Sequence, residues 1–107
     1  MATSNKTLGG IVKQAQRMNQ QIARITDEMS DREVEATAGG GAVLAVVNGR
    51  QQLVRLDIDP GLLSPDEAET LRELVITAVN LAMENAKEMM KTEVDKVTGG
   101  LHLPGLY

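Results

Sequence analysis

Apolar residues at Leu8, Ile11, Ala15, Met18, Ile22, Ile25 and Met29 recur at alternating steps of three and four, the a/d spacing of a coiled-coil seam. The pattern predicts one long helix over residues 8–30. Between the apolar positions lie Gln14, Gln16, Gln20 and Gln21, good helix formers with no competing apolar face, so the seam is narrow and needs a long partner helix. From Glu33 the period changes to two. Glu33, Val34, Glu35, Ala36 and Thr37 alternate as a strand with one polar face, and Gly39, Gly40 and Gly41 punctuate its end. Residues 42–47 form a β-prone apolar run that reaches Asn48-Gly49, the dipeptide of a tight type I′ hairpin. A third strand over residues 51–59 puts Val54, Leu56 and Ile58 on one face and Leu53, Arg55 and Asp57 on the other, until Pro60 removes a ladder donor. The sheet region, residues 32–59, is therefore expected to be a three-stranded antiparallel meander.

A second helix is expected over residues 65–98. Ser64 is placed to act as N-cap, Pro65 as the first helical residue and Glu67 as the reciprocal partner of a capping box. Leu71, Leu74, Val75, Ala78, Val79, Ala82, Ala86, Met89 and Met90 trace a broad apolar face. A helix of this length reaches ~50 Å, longer than the sheet it covers, so its second half, with Met89, Met90, Val94 and Val97, projects and needs cover from the first helix or a second subunit. Gly99-Gly100 stops it as a C-cap, and residues 99–107, with Pro104-Gly105, read as an irregular tail. The whole is a single domain over residues 1–107 with a two-layer α+β fold, α-β-β-β-α.

Composition adds a reason to pair. Tyr107 is the only aromatic residue among 107, so the core must come from Leu, Ile, Val, Ala and six Met, the last as flexible filler. A core without large aromatics gains apolar contact by self-association, so a dimer is expected. There is no cysteine, which excludes disulfides and thiolate chemistry. No apolar run approaches the ~20 residues of a membrane span, and the first ten residues lack the apolar stretch of a secretory signal. A cytoplasmic protein is the plain expectation.

The net charge of −4 argues against a polyanion partner only if it is evenly spread, and it is not. Residues 1–26 hold four basic residues, Lys6, Lys13, Arg17 and Arg24, and no acid, while the remainder holds seven basic and fifteen acidic residues. With Leu8 at position a, Lys6 and Lys13 fall at f and Arg17 and Arg24 at c, so the four cations share an outward stripe. Solvated helix faces usually mix signs, and the missing acid points to phosphates, with about eight contacts from two copies. Lys87, Lys91 and Lys96 are secondary candidates, because Glu84, Glu88 and Asp95 stand at surface-pair spacing. Arg50 and Arg55, at and after the hairpin, are ambiguous in the same way.

No catalytic set assembles. Asp57 and Asp59 alternate onto one strand face but have no third carboxylate, His or Cys nearby in sequence, and Asp before Pro is a turn-forming choice. His102, the only histidine, lies in the tail. The triple glycine precedes a strand and lacks the Lys-Ser/Thr of a phosphate loop. Thr3, Ser4, Thr7, Ser30 and Ser64 have no base to activate them. No metal, cofactor or small-molecule substrate is expected, and an enzyme is not.

Five motifs in order and at spacing carry a resemblance: Lys13-Gln14-Ala15-Gln16-Arg17-Met18; Glu33-Val34-Glu35-Ala36 leading to Ala38-Gly39-Gly40-Gly41; Val46-Val47-Asn48-Gly49; Leu56-Asp57-Ile58-Asp59-Pro60 with Leu63; and Gly99-Gly100-Leu101 with Leu103-Pro104-Gly105. Together they cover nearly the whole chain, which resembles the YbaB/EbfC family. The polar start, residues 2–7, departs from the Gly- and Met-rich opening of many relatives. The resemblance implies a tweezers-like homodimer with joined sheets and helical arms. It also implies a nucleoid-associated protein that binds double-stranded DNA with little sequence selectivity and can affect gene expression. The competing reading is a protein-interaction module for replication, repair or transcription proteins, held by the arms and the tail without strong DNA binding.

Overall fold

The computed structural model describes residues 2–99, with side chains from residue 9 onward. Helix α1 spans Ala2–Ser30, strand β1 Glu33–Ala38, β2 Val43–Asn48, β3 Leu53–Ile58, and helix α2 Ala68–Thr98, with single 3-10 turns at Pro60–Leu62 and Pro65–Glu67. The strands pair antiparallel in the order β1-β2-β3, so the α+β order α-β-β-β-α and the meander are as the pattern implied. The molecule is a rod of 77 × 19 × 17 Å, because the halves of the helices beyond the sheet have nothing to fold back upon.

Small side chains set the core. Ala36, Ala38, Val43, Ala45 and Val47 from the sheet meet Ala78, Ala82 and Ala86 of α2, all buried. Alanines every four residues along α2 form a flat strip that brings the helix backbone close to the sheet. Leu56, Leu71, Leu74, Val75, Val79 and Met83 close the rim. The methionines sit at margins: Met18, Met29, Met83, Met89 and Met90 are all half-buried.

Four sequence expectations need correction. First, α1 begins at Ala2 and not at Leu8; residues 2–7 contain no proline, and the helix continues through Gly9 and Gly10.

Second, the β2–β3 turn is not a two-residue type I′ turn. Gln51 N–H donates to Asn48 O and Asn48 N–H donates to Gln52 O, both at 3.0 Å, which encloses three residues. Gln51, at φ 63°, takes the left-handed position, and Gly49 does not. This is the type I turn with a following left-handed residue that three-residue hairpins use. Asn48 drives it, its Oδ1 accepting from Arg50 N–H at 2.9 Å and Gln52 N–H at 3.1 Å. Gly49 serves a different purpose, since a side chain there would collide with the Met29 carbonyl at the end of α1.

Third, Leu53 pairs with Val47 and Arg55 with Val46, leaving Val54 as an extra residue in a bulge. Paired residues share a face, so Leu53 joins the α2 side in place of Val54. Fourth, Ser64 makes no side-chain cap and no capping box forms; Pro65–Glu67 is a 3-10 turn and α2 starts at Ala68. At the other end Gly99 is the left-handed C-cap, its N–H reaching Asp95 O. No helix among the described residues is long and apolar enough to cross a membrane.

Candidate nucleic-acid interface

At the sheet end Arg55 is committed to an ion pair. Arg55 Nη2 lies 2.6 Å from Asp57 Oδ2, and this hydrogen bond and charge, with Glu35 and Glu33 beyond, hold the Arg55 guanidinium above its ordinary range. Asp59 lies past the end of β3, where its Oδ1 accepts from Gly61 N–H at 2.8 Å and starts the 3-10 turn. The two aspartates are thus committed to an ion pair and a turn, and do not converge. Among the described residues no group of three His, Cys, Asp or Glu could hold a metal.

The arm differs. Lys13, Arg17 and Arg24 are all exposed on α1, and among the described residues none has an ion-pair partner. Lys13 and Arg17, four residues apart, repel by a few tenths of a kcal/mol in an isolated helix. From Lys13 to Arg24 the stripe runs about 16 Å along the axis, close to half a helical repeat of B-DNA. The Lys6 side chain lies outside the described residues, as do His102 and the tail from residue 100.

The secondary cations divide in two. Lys96 is held by Glu93, with its Nζ 3.1 and 3.2 Å from the two carboxylate oxygens, and Glu93 also faces Arg32 at 4.0 Å. Arg50 Nη2 sits 3.5 Å from Asp31 Oδ1 and 3.3 Å from Ser30 Oγ. Lys87 and Lys91, by contrast, are exposed and form no ion pair among the described residues, despite Glu84 and Glu88 at helical spacing. Exposed pairs gain so little that such lysines stay solvated. Helical spacing shows which pairs are feasible and not which ones form. An open groove of about 580 Å³ runs beside the stripe between α1 and the hairpin, lined by Asn19, Ile22, Ala23, Thr26, Asp27, Ser30 and Arg50.

A profile of the YbaB/EbfC DNA-binding family matches residues 5–101. The chain belongs to the YbaB/EbfC family. A nucleoid-associated protein of Thermoanaerobacter pseudethanolicus is 48% identical over 100 residues, spanning 94% of this chain and 90% of its own. One from Pelotomaculum thermopropionicum is 42% identical over 91% of this chain and 92% of its own. An uncharacterized Helicobacter pylori protein of known crystal structure is similar over 73% of this chain and 90% of its own, with a TM-score of 0.62 and 26% identity. Within this YbaB/EbfC chain, the match includes the whole basic stretch of α1 and ends just past the Gly99 cap.

Proposed function

We propose that this YbaB/EbfC protein is a nucleoid-associated protein that binds double-stranded DNA with little sequence selectivity, as a homodimer in the cytoplasm, and so influences nucleoid organisation and gene expression. Lys6, Lys13, Arg17 and Arg24 meet phosphates, and Lys87 and Lys91 extend that surface. The reading rests on three cations on one exposed arm, free of acid partners, in a chain whose net charge is −4. Contacts of this kind release counterions and carry no base readout, so selectivity is left to duplex shape. Among the described residues nothing sets a base beside a nucleophile, which favours a binding protein over an enzyme. Two features support the dimer. Among the described residues no helix covers the second face of the sheet, and Val54 stands 46% exposed at the bulge.

Fluorescence anisotropy with random-sequence duplex at several salt concentrations tests the proposal. Log affinity should fall linearly with log salt. In the Lys13→Gln/Arg17→Gln/Arg24→Gln variant the slope should shrink by up to about 2.7 per protomer engaged. Absence of wild-type binding at low salt would transfer the function to protein partners of replication, repair or transcription.

A further inference from the structure

The outward side of α1 is built with amides where surface helices ordinarily carry acids. Five of the nine residues 13–21 are Gln or Asn. Glutamine and glutamate have nearly equal helix propensity, so helix formation does not select between them. Helix α2 shows the ordinary choice, with Glu84 and Glu88 beside Lys87 and Lys91.

Two of the amides stand between cations. On a helix surface the neighbours of a residue lie three and four positions away. Gln20 is three residues past Arg17 and four before Arg24, and Gln21 is four past Arg17 and three before Arg24. The two amides therefore flank the line that joins the arginines, which stand about 10 Å apart along the axis. All four residues are exposed. On its other side Arg24 has Asp27 and Glu28 at the same spacings, so acids stand toward the hairpin end of α1 and amides toward its free end. A glutamate at position 20 or 21 would be at ion-pair spacing from both arginines. A glutamine leaves both charges whole.

These amides also have no task inside the fold. Elsewhere Asn48 Nδ2 donates to Gln52 Oε1 at 3.0 Å, Gln51 Nε2 to Met83 O at 3.1 Å and Asn85 Nδ2 to Glu35 O at 3.3 Å. Gln20 and Gln21 make no hydrogen bond among the described residues.

We propose that Gln20 and Gln21 are phosphate contacts of the arm, their amide N–H groups donating to oxygens of the phosphates that Arg17 and Arg24 neutralise. The inference rests on the reading of α1 as the DNA-binding arm and adds a neutral share of affinity to it. A cation that meets a phosphate releases counterions, so its contribution falls as salt rises. An amide adds no charge, and its bond survives at salt that weakens the cationic contacts. Hydrogen bonds to phosphate fix the protein on the duplex without reading sequence, which keeps selectivity low.

Anisotropy titrations of the full-length protein against several duplexes of unrelated sequence, each over a series of salt concentrations, test the proposal. A hydrogen bond to a charged group is worth about tenfold in affinity. Gln20→Ala/Gln21→Ala should therefore bind every duplex at least about tenfold more weakly than wild type, with the salt slope unchanged. Alanine is the better helix former, so circular dichroism should show no loss of helix in this variant. Gln20→Glu/Gln21→Glu should lose more affinity and flatten the slope, because carboxylates there repel phosphates and neutralise the arginines. An alanine variant that binds as wild type does overturns the proposal. So does a loss confined to some duplexes, which would put the amides on base edges. Absence of binding by the wild type would remove the DNA-binding reading and the inference with it, a result distinct from failure of the amides alone.

Discussion

Replacing Gly49 with alanine isolates the contact that orients the arm. Its Cβ would overlap the Met29 carbonyl oxygen, 2.7 Å from the carbonyl carbon and 3.1 Å from Ser30 Cα. These are backbone atoms and cannot rotate away; either α1 lifts from the hairpin or the turn distorts. A Gly→Ala change at a permissive site gains ~0.4–1 kcal/mol by stiffening the unfolded chain. Forcing a methyl group into a packed contact costs ~1–3 kcal/mol. The net is a loss of about 1–2 kcal/mol, or roughly 4–16 °C in Tm for a domain of this size. Thermal unfolding followed by circular dichroism at one fixed protein concentration reads it, since a dimer's Tm depends on concentration.

Gly49→Asn distinguishes the reason for glycine. Asparagine tolerates the left-handed conformation that a type I′ turn demands, so that turn would accept it nearly unchanged. Close approach of α1 forbids it as it forbids alanine. A Gly49→Asn protein as stable as wild type would refute the account of Gly49.

Three further predictions follow from the same geometry. Gly9→Ala and Gly10→Ala face open space within α1 and should each stabilise the helix by up to ~1 kcal/mol, visible as slower amide exchange in the arm. Asn48→Ala removes two acceptor bonds and the Nδ2 bond to Gln52 Oε1 at 3.0 Å, and should cost ~1–3 kcal/mol in chemical denaturation; Asn48→Asp, which keeps both acceptor bonds, should cost less. Lys87→Gln/Lys91→Gln should reduce the salt slope of DNA binding by about 1–2, whereas Lys96→Gln, whose ammonium is already held by Glu93, should leave it unchanged.

The sequence was most legible where one periodicity ran without interruption. The apolar face of α2 from Leu71 to Ala86 lies on the sheet as its spacing implied, and the Gly99 cap falls where the pattern ends. Misreadings arose where a local signal had more than one physical cause. Gly49 marks the hairpin correctly, but its reason is a neighbour twenty residues earlier in sequence. The faces of Leu53 and Val54 depend on a bulge set by pairing with Val46 and Val47, which alternation within β3 does not encode. Ser64 has the composition of a capping box, yet the 3-10 turn at Pro65 supplies a backbone bond instead, from Glu67 N–H to Ser64 O at 3.0 Å. For the interface, the run without acids is plain in the sequence. The release of Lys87 and Lys91 from their neighbours is not.

Distance sets the outer end of the basic stripe apart from the acids of the sheet. Lys13 lies about 24 Å along α1 from Met29, and the far end of β3 about 17 Å beyond the hairpin, so some 40 Å separate Lys13 from the acids near Asp57, whereas Arg24 has Asp27 and Glu28 three and four residues on. At 0.15 M salt the screening length is about 8 Å, and charges five such lengths apart do not feel each other. The outer end of the stripe then does not feel the acids of the sheet. At 0.01 M the screening length grows to about 30 Å, and the acids begin to repel duplex held on the arm. Glu69→Gln/Glu73→Gln, both exposed on α2 near the sheet, should therefore leave DNA affinity within twofold at 0.15 M and raise it more than twofold at 0.01 M. An equal gain at both salts would mean that these carboxylates lie beside the bound duplex, and that the arm is not where the DNA sits.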